Sequence, residues 1–204
     1  MCSNVRMTKS LARRLLALAA VLAVTPWASA HPGHDGDHDF TWDFSGGLAH
    51  PFTGMDHMLA MIAVGLWAAQ LGGRARWLVP VSFVGVMALG AALGHAGLNF
   101  SGIEQMIAAS VLVLGLLIAK SVKLPMAASV ALVGVFALFH GLAHGAEMPA
   151  TAGGLSYGAG FIAATALLHF VGLGLGTLAA RRSEKLASYA GWGIAAAGVV
   201  LFAL

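Results

Sequence analysis

Two short segments place four of the chain's nine histidines and two of its eight acids within apolar stretches. They are His50-Pro51-Phe52-Thr53-Gly54-Met55-Asp56-His57 and Phe139-His140-Gly141-Leu142-Ala143-His144-Gly145-Ala146-Glu147. Each sits in an apolar stretch, where an ionisable side chain is costly unless it serves an ion or a proton path. Imidazole favours borderline divalent ions such as nickel, zinc and copper, while carboxylates offset the charge of an ion that sheds its water. Positions 140, 144 and 147 follow an i, i+4, i+7 spacing and so fall on one face of a helix. Asp56 and His57 are neighbours that point about 100° apart on a helix, so both can face a bundle interior only from its edge. Metal held by such a set should be lost on acidification, because a protonated imidazole is no ligand.

Further candidates are His95, Glu104 and His169, together with His31, His34 and His38 in a polar run that also carries Asp35, Asp37 and Asp39. Each candidate also has a plainer reading. His50-Pro51 can be a turn that precedes a helix capped by Asp56, and His140 with His144 can bond backbone or a neighbouring helix. His95 and Glu104 can simply be wet at a membrane surface, and His169 can be a packing residue rather than a deeper way-station. If the chain is cut after Ala30, the amine and ring of His31 can chelate one ion together, and the run from His34 to Asp39 can gather metal. Otherwise this run is merely solvated.

These groups need elements to hold them, and composition says which. The chain is 59% hydrophobic and 9% charged, with a mean hydropathy of +0.84, whereas a soluble domain carries about a quarter charged residues. This is the membrane class. Residues 1–30 have the layout of a secretory signal peptide, with Arg6, Lys9, Arg13 and Arg14 before the short apolar run Leu15 to Val24 and Ala28-Ser29-Ala30 after it. Removing them takes four of the eleven basic residues and none of the eight acids, which turns a net charge of +3 into −1. The basic balance of the full chain therefore does not imply nucleic acid. Cys2, the only cysteine, leaves as well, so the mature chain has neither thiolate ligand nor disulfide.

Residues 31–47 read as a flexible His/Asp-rich extracytoplasmic leader. Residues 48–204 read as an all-α integral membrane domain of six transmembrane helices, at roughly 54–71, 77–93, 103–119, 125–145, 154–180 and 186–204. Short loops predict that adjacent helices are antiparallel neighbours. The remaining basic residues, Arg74, Arg76, Lys120, Lys123, Arg181, Arg182 and Lys185, all fall in alternate loops. Positive charge stays inside, so both mature termini should lie outside the cytoplasm. His50, Asp56, His57, His95, Glu104, His140, His144 and Glu147 then share one outer level. Four-residue spacings such as Gly154 with Gly158 and Gly172 with Gly176 signal close helix contacts. Gly54, Gly141 and Gly145, beside the motif histidines, suit either an opened backbone or a closely approaching helix.

In its two complete motifs, HPxxGxDH over 50–57 and FHGxAHGxE over 139–147, the sequence resembles the HupE/UreJ family of nickel permeases. The layout of signal sequence and six spans resembles that family too. The resemblance implies uptake of Ni²⁺, or of Co²⁺ in some members, across the bacterial inner membrane, with metalloenzyme-maturation proteins as partners and no prosthetic group. It assigns the metal role to His50, Asp56, His57, His140, His144 and Glu147. Two rival classes remain: an intramembrane zinc-dependent hydrolase, and a sensor or scaffold that binds metal without conducting it. No nucleotide-binding loop is present, which argues against ATP hydrolysis by this chain.

Overall fold

A carboxylate begins the architecture. Asp43 accepts the Gly46 N–H at 2.9 Å and so caps a short helix, α1 (Phe44–Ala49). A 3-10 turn, His50–Phe52, follows, with the Thr53 hydroxyl donating to the His50 carbonyl at 2.7 Å. Gly54 then takes an extended conformation, and the chain bends by 82° into α2 (Met55–Leu71). The rest is helical: α3 (Ala75–His95), α4 (Ile103–Ala119), α5 (Met126–Glu147), α6 (Gly153–Arg182) and α7 (Glu184–Ala203). This is a computed structural model, and it describes residues 42–148 and 153–203. The expected signal peptide and the leader residues His31, His34 and His38 lie outside the described residues. Helix α1 falls in part within the range read as flexible leader.

Among the described residues the protein is all-α. Helices α3, α5, α6 and α7 are long and apolar enough to cross a bilayer, and the bent pair of α1 with its turn and α2 adds a fifth if counted as one span. Helix α4 is apolar but has 17 residues, short of the roughly 20 a spanning helix uses. Several apolar helices of this length make the chain a multi-pass membrane protein.

The tight helix pairs are not the sequence neighbours that short loops predict. Helix α2 packs lengthwise on α6, α3 on α5, and α4 on α7. Gly65 faces Gly172 and Gly176 faces Ala69, so α2 and α6 run parallel; Gly90 faces Gly141 while Gly94 faces Leu142 and Ala146, so α3 and α5 do too. Helices α4 and α7 run antiparallel, with Gly115 on Ala195 and Gly191 on Ala119. At Gly65 a Cβ would strike the His169 carbonyl, and at Gly141 it would strike that of Met87. Bare backbone is what lets these axes meet, as in membrane helix pairs generally. The Gly172–Gly176 spacing is thus a packing face, whereas Gly158 meets only the tip of Met148. Polar ties join α2 to the end of α4: the Trp67 indole donates to the Val122 carbonyl at 2.9 Å, and Gln70 donates to that of Ile118 at 3.1 Å.

Replacing Gly65 with Leu should destabilise the protein by about 1–3 kcal/mol through overpacking, while Gly193→Ala, which meets open space, should be neutral. Thermal unfolding in detergent checks this, and equal midpoints for the two variants would contradict the pairing.

Candidate metal site

The parallel packing of α3 on α5 turns one face of α5 toward the start of α2. His140 and His144 on that face meet His57 from the first turn of α2 and His50 from the preceding turn. All four imidazoles are buried, each at most 4% exposed. Their ring centroids form a continuous row: His50 to His144 is 4.7 Å, His144 to His57 is 4.3 Å, and His57 to His140 is 5.1 Å. One ligand atom each from His50, His144 and Glu147 lie within 4.8 Å of one another. An ion between them could bind all three with small adjustments of side chains.

Two of the rings are oriented by bonds that decide which nitrogen faces the row. The Nδ1 of His140 is 2.9 Å from the Phe136 carbonyl. A carbonyl only accepts, so in the neutral ring the proton sits on Nδ1 and the lone pair on Nε2. That Nε2 is buried with no hydrogen-bond partner, an expensive arrangement unless something electrophilic is bound there. His57 Nδ1 is 2.8 Å from Asp56 Oδ1, and the same oxygen accepts the His57 backbone N–H at 2.8 Å. Carboxylate or carbonyl on one imidazole nitrogen is how metal-binding histidines are commonly aimed and made more basic. In this geometry Asp56 acts on His57 at least as directly as on an ion. Glu147 stands 3.9 Å from His144 Nδ1, with about a third of its side chain exposed.

The remaining candidates are spread around the row. Glu104 is exposed at the start of α4. His95 is exposed at the end of α3, where its Nδ1 is 3.2 Å from the Met148 carbonyl. It lines a cavity of about 440 Å³ together with His144, Met87, Met148, Tyr157 and Phe161. His169 does not join the row. It lies in the middle of α6, 3% exposed, with neither ring nitrogen hydrogen-bonded. His31, His34 and His38 are outside the described residues.

What lies between His169 and the row is Phe83, a residue whose importance the sequence did not signal. Its fully buried ring is 5.5 Å from His140 and 5.1 Å from His169, edge-on to both. Tyr157 and Phe161 frame the other end, at 5.8 and 5.7 Å from His50. Aromatic residues at these positions look like ordinary span residues, and only the helix pairing brings them against imidazole. Gly54 and Gly141 also part ways: at Gly54 the backbone does break, while α5 runs unbroken and Gly141 and Gly145 press onto Met87 and Ala91 of α3.

A multi-pass helical bundle with a buried imidazole row beside carboxylates defines a membrane protein with a candidate metal site. The chain matches the HupE / UreJ protein family over residues 18–201 and belongs to it. It is similar to the protein named Protein HupE of Rhizobium leguminosarum bv. viciae, with 45% identity over 183 residues, 89% of this chain and 93% of that one. No solved structure matches it.

His144→Ala should weaken binding of Ni²⁺ to the purified protein by about ten-fold or more, read by isothermal titration calorimetry. Wild-type affinity should also fall on acidification, because the neutral rings are the ligands. Unchanged affinity in the variant, or none lost at low pH, would remove the imidazoles from the site.

Proposed function

We propose that this chain is an uptake permease for Ni²⁺, with Co²⁺ as the alternative cargo, in the bacterial inner membrane. The carrying observation is the row from His50 to His140 with His169 beyond Phe83, because it places donors at successive depths. An ion arrives at the outer level near His95, Glu104 and Glu147, exchanges water for imidazole between α2 and α5, passes Phe83 and meets His169. Membership of the HupE/UreJ family supports the reading.

Six spans follow if α4 crosses with its antiparallel partner α7 and α1–α2 counts as one, with residues 1–30 removed as a signal peptide. Both mature termini are then periplasmic, and the seven basic residues from Arg74 to Lys185 face the cytoplasm. An inside-negative potential would drive a divalent ion inward by about 4.6 kcal/mol per 100 mV if both charges cross the full field. Metalloenzyme-maturation proteins are the partners this implies on the inner side. The chain is then not an enzyme. A zinc hydrolase needs one centre with an open position for water, and a donor lying deeper behind an aromatic ring has no task in such a centre.

His140→Ala should abolish uptake of radioactive nickel by cells at unchanged protein levels. His169→Ala should slow uptake while leaving equilibrium binding at the outer row nearly intact; normal uptake in both would end the permease path. Deleting residues 33–39 should matter only when metal is scarce, and loss of uptake at every concentration would show that the leader does more than gather ions.

A further inference from the structure

Beside His169, α3 and α6 leave two adjoining cavities that share Trp77, Phe170 and Leu173 as walls. The first, about 390 Å³, is bounded by Arg76, Arg181 and Thr177. The second, about 360 Å³, is almost wholly apolar, lined by Pro80, Val81, Val84 and Gly85 and ending at His169. Polar and apolar halves thus lie end to end along one groove.

The two guanidinium groups give the groove its charge. Among the described residues, the ion pairs are His57 with Asp56 and His144 with Glu147, so neither Arg76 nor Arg181 has a carboxylate partner. The Nε of Arg76 is buried without a hydrogen-bond partner. Trp77 is half exposed at the same level, its ring 6.4 Å from that of Phe170, in the manner of an aromatic residue at a headgroup boundary. From Arg181 to His169 is twelve residues of continuous helix, about 18 Å at 1.5 Å per residue. That is close to the depth of one leaflet, half of a hydrocarbon core of about 30 Å plus part of its headgroup layer.

We propose that this groove holds an anionic phospholipid of the adjacent leaflet, its phosphate between Arg76 and Arg181 and one acyl chain over Val81, Gly85 and Phe170 as far as His169. Paired cations ending an apolar slot of leaflet depth match an anionic head carrying a hydrocarbon tail, and arginine recognises phosphate through its planar fork. The tail would fill the slot that ends at buried His169, so the lipid would keep other molecules out of the space beside that imidazole. The binding proposal itself is independent of which ion the row handles.

Native mass spectrometry of the full-length protein in detergent tests it, with phosphatidylglycerol, phosphatidylcholine or inorganic phosphate added in separate arms. Wild type should retain phosphatidylglycerol in preference to phosphatidylcholine, and inorganic phosphate should not displace it. Arg76→Gln with Arg181→Gln should lose that preference, and Gly85→Leu, which narrows the apolar half and leaves both charges, should lower retention. Arg74→Gln with Arg182→Gln removes equal charge outside the groove and should keep it, which separates the site from general surface charge. Equal retention of the two lipids by wild type, displacement by inorganic phosphate, or preference surviving in the Arg76/Arg181 variant while folded would each overturn the proposal.

Discussion

An imidazole taken from water into an apolar bundle leaves two ring nitrogens to be satisfied, and the architecture is arranged around that constraint. Four such rings share one row, and His140 and His57 each have one nitrogen committed, to the Phe136 carbonyl and to the Asp56 carboxylate. The commitment fixes which nitrogen looks into the row. A lone histidine in such surroundings is costly, whereas several rings side by side form a candidate site whose cost would fall if a cation were bound.

That row exists only because the helices come close. Helix α5 presents His140 and His144 toward α2 while its glycines, Gly141 and Gly145, lie against Met87 and Ala91 of α3. One short motif therefore serves two faces, imidazole on one and bare backbone on the other. On the far side Gly65 and Gly172 press α2 onto α6, and this sets the depth at which His169 lies beneath Phe83. Phe83 ends the row with a non-coordinating ring, so on the proposed path an ion going from His140 to His169 would pass an apolar contact.

Much of this was legible in the sequence for physical reasons. The i, i+4, i+7 spacing of His140, His144 and Glu147 puts them on one face of any helix, and apolar stretches of bilayer length fix the helical class. The pairing of helices was not legible. Short loops suggested neighbours, but the close contacts of α2 with α6 and α3 with α5 depend on which of many glycines face each other, and Gly154 with Gly158 has the same spacing as Gly172 with Gly176 without the same contact. Phe83 was invisible for a related reason, since an aromatic residue in a span has no signature until its neighbours are known. Asp56 could be placed near the site by its motif, but its bond to the His57 ring depends on side-chain orientations that the sequence does not give.

The claim at the centre is that imidazoles from separate helices share one ion. X-ray absorption spectroscopy of the tag-free protein loaded with one equivalent of nickel measures this directly. The account predicts a shell with at least two imidazoles that loses one in His144→Ala. A shell of oxygen donors alone, unchanged by that substitution, would contradict it.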